Sequence, residues 1–397
     1  MRNDLDVAII GAGPAGSSLA ALLATRGLAV TLFEKDRFPR DKLCGEFLSG
    51  GATRHLEEIG CLEGVQALDP ARMSRARFTT PSAGELVVDL PDEALGVSRR
   101  RLDEVLLRHA ASRGAEILEG AEVREVRASP DGEASAVAEL EVRRESGVLE
   151  RRRARLAVGA HGRRSALDRR LGRPFLNERH PFVAFQRHHW PLPGEAGRRL
   201  VDELRGAVEI HTFEGGYCGL SFVETGEINV CLLCEEAWLK GRGAADWGVL
   251  VESLGRASRP LGRRLAALEP SDSLRVVAGI PLVSKETRRG PLLFVGDAAG
   301  MVAPFSGDGQ AMALESACHL SALIATVAGP GGPGGLSFDA IAARWDRRWK
   351  RAFGVRQRLA RCLQRLLLRE TSARWSLRVA KAVPGLATLL VRATRGK

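Results

Sequence analysis

Aromatic residues are scarce in this 397-residue chain: Phe, Trp and Tyr make up 5% of it. Stacking platforms for bases are therefore few, no nucleic-acid-binding motif accompanies them, and nucleic acid is not an expected partner. No apolar run reads as long enough to cross a bilayer. None before Val7 reads as a signal peptide, so the expected location is the cytoplasm, free or peripheral at a membrane. Acidic residues fall short of basic ones, 48 against 59, leaving a net charge of +11. That excess is either a diffusely basic surface or a face for an anionic partner. The cysteines are seven and scattered (44, 61, 218, 231, 234, 318 and 362), which excludes a disulfide framework and implies a reducing compartment. Cys231 and Cys234 sit in a run, 228–233, that reads as a strand, so their side chains are expected on opposite faces and not as a redox pair or zinc knuckle. His188 and His189 have no acid or further histidine at ligand spacing, and no metal is expected. No internal repeat is present.

Against these absences stands one dense stretch, Gly11-Ala12-Gly13-Pro14-Ala15-Gly16. It follows the apolar run Val7-Ala8-Ile9-Ile10, which reads as a buried parallel strand. It opens a helical segment with Leu19, Leu22 and Leu23 on one face. A second apolar run, 28–33, ends at Glu34. Strand, glycine turn, helix, strand and acid make the dinucleotide-binding unit. Gly11 allows the tight turn, Gly13 lets backbone approach a pyrophosphate, and Gly16 lets helix and strand pack. The helix start offers N–H groups to the phosphates, and Glu34 can accept from a ribose hydroxyl.

The remaining chain reads as alternating elements. A helix is expected over 53–59, strands within 77–90, a helix over 102–113, and strands over 121–128, 136–144 and 148–155 divided by turns at Asp131-Gly132 and Ser146-Gly147. Another buried strand is expected at 156–160. Residues 182–281 read mostly as strands, with helical interruptions near 238–254 and 260–268. A buried strand at 291–297 precedes a long helix over 309–328, then a glycine-rich break at 329–335. Beyond it, Trp345, Trp349, Ala352, Leu359, Leu363 and Leu366 recur at helical spacing among many arginines. That helix either packs its apolar stripe on the fold or offers its basic face to an anionic membrane or an acidic carrier protein.

Four separated segments carry a resemblance: Gly11–Gly16 with Glu34; Arg99 with Asp103; Gly159-Ala160-His161-Gly162-Arg163-Arg164-Ser165; and Gly296-Asp297-Ala298-Ala299-Gly300 through Pro304 to Gly309. In this order they resemble FAD-dependent oxidoreductases of the aromatic-hydroxylase type, and within them the geranylgeranyl-reductase-like branch. The resemblance implies an α/β fold: a Rossmann-like FAD-binding domain split over 1–75, 97–165 and 276–328, an inserted, mostly antiparallel sheet domain for substrate over 76–96 and 166–275, and a helical C-terminal extension over 336–397. It assigns non-covalent FAD to Gly11, Gly13, Ala15, Gly16, Glu34, Lys35, Arg99, Val123, Asp297, Pro304, Gly307, Gly309 and Gln310. Asp297 is expected to accept from the ribityl hydroxyls. The helix after Gly309 directs positive potential at the flavin edge where charge accumulates on reduction. His161 stands where the family usually has aspartate.

Lys42-Leu43-Cys44-Gly45-Glu46 resembles the segment lying over the isoalloxazine in the reductase branch. Cys44 is there redox-active, a shaper of the pocket, or a small hydrophobe. Glu46 is the nearest acid or base, and the two are the catalytic candidates. Trp190, His211, Phe213, Tyr217 and Phe222 are candidate substrate-lining residues. The halogenase signature WxWxIP is missing, since His189-Trp190-Pro191-Leu192-Pro193 does not match it. The expected activity is NADH- or NADPH-dependent monooxygenation of a hydrophobic or aromatic metabolite, as in secondary metabolism. The alternative is an ene-reductase of the geranylgeranyl-reductase type.

Overall fold

The computed structural model describes residues 4–393, apart from 83, 130–137, 241, 243–245, 329–335 and 384. β1 (Asp4–Ile10) enters the glycine turn and α1 (Pro14–Ala24) leaves it. Pro14 is suited to the first turn, where its missing N–H has no intrahelical partner to lose. β2 (Val30–Phe33) is buried along its whole length. β3 (Phe47–Leu48), α2 (Gly50–Ile59) and α3 (Leu62–Gln66) follow, and α2 stops at Gly60 with φ of 79°, a left-handed cap that glycine takes without strain.

β4 (Ala71–Thr80) and β5 (Gly84–Gly96) pair antiparallel. The Ser98 hydroxyl accepts the Arg101 N–H and so caps α4 (Arg99–Ser112). β6 (Glu116–Leu118), β7 (Ala121–Ala128), β8 (Ala138–Arg144) and β9 (Leu149–Gly159) lead to the short α5 (Ala166–Arg170). Then come β10 (Phe182–Pro191), α6 (Glu195–Leu204), β11 (Ala207–Phe213), β12 (Gly216–Phe222), β13 (Ile228–Glu235), α7 (Glu236–Leu239), α8 (Trp247–Ala257), α9 (Arg259–Leu265), β14 (Leu268–Pro270) and β15 (Arg275–Ala278). The chain returns through β16 (Arg288–Arg289) and β17 (Leu292–Phe294) to α10 (Gly309–Ala328), and ends in α11 (Phe338–Leu367), α12 (Glu370–Ala382) and α13 (Leu386–Ala393).

These elements form an α/β fold with two sheets among the described residues. The first runs β16-β17-β9-β1-β2-β6, parallel from β17 to β6, with β7 and β8 as an antiparallel extension of β9. The second runs β14-β10-β13-β12-β11-β4-β5-β3, with β15 also on β10; apart from the parallel pair β11–β4 it is antiparallel. One large apolar cluster packs α1, α4 and α10 onto the first sheet, and a second lies under α8 and α9 on β10–β13.

Several expectations shift. The runs 148–155 and 156–160 are one strand, β9, which pairs antiparallel with β8 at its start and parallel with β1 further on. Polar Arg151–Arg153 and apolar Leu156–Val158 differ because only the later half is covered on both faces. The expected limits at 75/76 and 275/276 fall inside β4 and β15, and Phe47–Leu48 joins the second sheet. Helix α6 interrupts the 182–281 run at a place where the sequence pattern reads as strand. The Asp131-Gly132 turn and the 329–335 break lie outside the described residues.

Helix α10 corrects the expectation about bilayer-spanning runs, being 20 residues long with a mean hydropathy of 1.5. It is instead packed between α1, α2 and α11, which is why it can be apolar nearly all round. On α11, Trp345 and Trp349 are buried as the packing reading expects. Further along, the buried face is Phe353, Arg356, Gln357, Ala360 and Gln364, and Leu366 is exposed.

Candidate functional site

The first sheet delivers three strand ends to one place. β1 ends at Gly11, whose φ of 103° suits glycine, and a Cβ there would sit 2.7 Å from the Ala160 carbonyl oxygen. A Cβ on Gly16 would lie 1.9 Å from the Gly11 oxygen. Helix α1 therefore meets the turn as closely as backbone allows. β2 ends at Glu34, whose Oε2 accepts the Ala12 N–H at 2.8 Å and whose Oε1 accepts the Asp36 N–H at 3.0 Å. Arg99 reaches over the turn, its Nη2 3.8 Å from where a Gly13 Cβ would be. Its guanidinium is fixed by two 2.7 Å hydrogen bonds to the buried Asp103, which Arg40 also contacts at 3.0 Å. A bidentate carboxylate grip of this kind holds an arginine in one orientation.

β17 ends near Asp297. The Lys285 ammonium donates to the Asp297 and Arg163 carbonyl oxygens at 2.8 and 2.6 Å. Burial pushes both Lys42 and Lys285 down to about 8, with neighbouring arginines adding to the effect. Burial pushes the Asp297 carboxyl up, while Lys285, Arg163, Arg99 and Lys42 pull it back. This cluster of cations around a glycine turn suits an anionic diphosphate.

These ends open into a cavity of about 480 Å³. Gly11, Gly13, Ala15, Glu34, Lys35, Arg99, Val123, Asp297, Pro304, Gly307, Gly309 and Gln310 all line it, as do Cys44 and Glu46. Gly16 lies behind the wall, packing helix on strand. Gly307 has φ of 66°, and a Cβ there would strike the Phe47 ring at 2.9 Å. The Cys44 sulfur accepts from Gln310 Nε2 at 3.3 Å and from the Glu46 N–H at 3.4 Å, and burial pushes its thiol up. Cys44 is thus held as a neutral thiol.

The far end of the cavity belongs to the second sheet. Of the five aromatic and histidine candidates there, Tyr217 lines the cavity. Its hydroxyl has no hydrogen-bond partner among the described residues, and its ring meets Phe305 edge-on at 5.6 Å. The other four are corrected. Trp190 is exposed, Phe213 packs on Trp238 beneath the sheet, Phe222 joins the same cluster, and His211 is buried between Thr79 and Glu209. Strand alternation decides this: Tyr217 faces the cavity, while Phe222, an odd number of residues away, faces elsewhere. Cys231 lines the cavity and Cys234 lies in the opposite core, on opposite faces as the strand period requires.

Residues 4–191 match the FAD binding domain family. The matched segment, 188 of 397 residues, carries the glycine turn, Glu34 and Arg99, and in it the chain is similar to the FAD-dependent oxidoreductases. Along 91% of its length it is 29% identical to a menaquinone reductase from Mycolicibacterium smegmatis, covering 85% of that protein. A digeranylgeranylglycerophospholipid reductase from Methanopyrus kandleri is 28% identical over 88% of the chain and 83% of its own. A 1H-pyrrole-2-carbonyl-[peptidyl-carrier protein] chlorinase from Pseudomonas fluorescens is 32% identical over 47% of the chain; the match spans 45% of the chlorinase, less than half its length. The fold is shared with a flavin-dependent brominase, with a TM-score of 0.79 at 20% identity over 98% of this chain and 93% of that one.

The residues present fit FAD. Two glycine positions leave no room for a Cβ, the helix start is open to the cavity, and cations ring the turn. Two features departed from the sequence reading. His161 is answered by Asp168 seven residues on, its Nε2 3.0 Å from the carboxylate, which also takes Arg173 at 2.9 Å. Despite burial, these partners pull Asp168 down to about 2. A carboxylate is thus supplied beside the loop from α5. His188, for which no acid stood at suitable spacing, has two: Glu46 at 2.6 Å and Asp272 at 2.8 Å. The partners lie 142 and 84 residues away, and no local pattern announces them. The one signal was period two in β10, which puts His188 on the face of Ala184 and Gln186.

Proposed function

We propose that this flavoprotein reduces a carbon–carbon double bond in an apolar, isoprenoid-like substrate, with NADH or NADPH as the source of electrons. The observation that carries the reading is the junction inside the cavity. On one side lie the glycine turn and cations. On the other lies an apolar chamber of Leu43, Phe78, Ile210, Leu233, Met301 and Phe305. Cys44 and Glu46 stand between them. Such a chamber favours a hydrocarbon chain or ring, and Tyr217 offers it one polar contact.

FAD, when bound, supplies a two-electron store that can pass a hydride. The residues do the rest. Gly11, Gly13 and the start of α1 would hold the diphosphate, with the Arg99 guanidinium beside the turn. Glu34 braces the turn and would accept from the ribose. Asp297 would accept from the ribityl hydroxyls. Pro304–Gly309, Gln310 and the positive end of α10 would take the flavin ring. Glu46 gives the proton that saturation of a double bond requires. The menaquinone reductase and the digeranylgeranylglycerophospholipid reductase, each aligned along most of the chain, support the same reading.

The test is to reduce the purified holoenzyme anaerobically and add prenylated quinones or polyprenyl compounds. Product two hydrogens heavier before oxygen enters is the expected result. Product that appears only with oxygen and carries one ¹⁸O atom would overturn the reading in favour of monooxygenation.

A further inference from the structure

Glu46 has φ of 54°, a left-handed conformation that a non-glycine residue holds only where its surroundings enforce it. Its Oε1 accepts the Arg99 N–H at 2.9 Å and its Oε2 meets His188 Nε2 at 2.6 Å. On the other side of the ring, His188 Nδ1 lies 2.8 Å from Asp272 Oδ2, and Asp272 Oδ1 accepts the His188 backbone N–H at 3.0 Å. Asp272 is partly exposed and also holds Arg275 at 2.7 Å. An imidazole between two carboxylates thus runs from the cavity wall toward solvent.

We propose that His188 is the proton store of this site: as an imidazolium it charges Glu46, and Asp272 is the residue that positions it and keeps it charged. The inference rests on the reductase reading. The His188 Nε2 proton passes to the Glu46 carboxylate, which hands it to one carbon of the double bond, leaving neutral imidazole with Nδ1–H still donated to Asp272; the other carbon would take a hydride, with its electron pair, that bound reduced FAD would supply. A solvent proton restores Nε2 through Glu46 when product leaves. The store itself moves protons and no electrons.

The surrounding charges support it. Burial alone would lower His188, but hydrogen bonds and charge from Glu46 and Asp272 raise it to about 9. Glu46 also feels Glu224 and Cys44, with burial pushing its carboxyl up. Gln186 Nε2 lies 3.3 Å from His188 Nε2, and His189 and Arg187 lie beside the array on β10. A carboxylate pair that only pinned the 44–46 segment to β10 would not require an ionisable ring between them.

The test has two arms. Histidine-labelled protein without cofactor is titrated by NMR, with His188 identified by its loss in H188Q. A titration near 9 that moves down by at least a pH unit in Asp272→Asn is expected, and a titration at the ordinary value of about 6.5 would overturn the store. In turnover, the alkaline limb of kcat should move to lower pH in Asp272→Asn, and H188Q should lose about 100-fold in kcat with KM little changed. An unmoved limb in a folded Asp272→Asn variant also overturns it. If wild type forms no reduced product at any pH, the reductase reading fails, and the titration alone decides whether His188 holds the proton.

Discussion

His188 and His189 are adjacent in β10, and their surroundings shift them in opposite directions from the ordinary imidazole value. His188 faces two carboxylates. His189 packs against the Trp247 ring at 5.5 Å, with Nδ1 3.1 Å from the Arg187 carbonyl oxygen, and burial pushes it down to about 4. The folded protein therefore favours neutral His189. Its contribution to stability is present above the unfolded value of about 6.5 and is lost as pH falls from there through 4, at most about 3 kcal/mol. Thermal melts of wild type should drop across that window, and His189→Phe should flatten the drop. An equally steep fall in the variant would refute the assignment. His188 behaves inversely: its raised value contributes below about 6.5 and is lost as pH rises through 9.

At the scale of elements, α11 ties the C-terminal part of the chain to the cofactor cradle. Trp345 is fully buried and donates its indole N–H to the Phe294 carbonyl at 2.9 Å, at the end of β17. Arg356 on the same helix reaches Asp308 at 3.3 Å and Glu315 at 2.7 Å, next to the start of α10. Removing the indole creates a cavity and leaves a carbonyl without its partner, so Trp345→Ala should cost about 3–5 kcal/mol. Bound flavin per chain should fall with it, because the strand that presents Asp297 loses its backing. Chemical denaturation and the flavin absorbance of the purified variant check both. Unchanged flavin content would show that α11 stabilises the fold without shaping the cradle.

At the scale of the whole molecule, exposed apolar side chains gather on α12 and α13. Trp375, Val379 and Val383 follow one another at four-residue spacing, and Leu389 lies beyond them; Trp375 and Leu389 are 60% and 62% exposed. Arg378, Lys381 and Arg392 are exposed on the same helices, and Val391 lines the cavity. We propose this basic, apolar face beside the chamber, rather than α11, as the surface that meets a membrane holding the proposed isoprenoid-like substrate. Vesicles with anionic lipid should sediment the protein, neutral vesicles much less, and the double change Trp375→Ser with Val379→Ser should reduce binding about 10-fold or more. Equal binding to both vesicle types, or binding by an acidic carrier protein alone, would count against it.

Much of the cradle was legible along the chain because its chemistry is local. The turn from Gly11 to Gly16, the acid closing β2, and the Gly296–Gly309 segment each carry their constraint within a few residues, where φ, backbone approach and helix starts leave a mark on residue type. The two sheets and the long α10 were legible for the same reason, through period and length. What the tertiary structure alone decided are the meetings across the chain: Glu46 with His188, His188 with Asp272, and Tyr217 chosen over four other candidates. Those depend on register and strand face, which shift a side chain from cavity to core with a single step. A sequence pattern records which face is apolar. It does not record which distant carboxylate will stand opposite a histidine once two sheets close on one cavity.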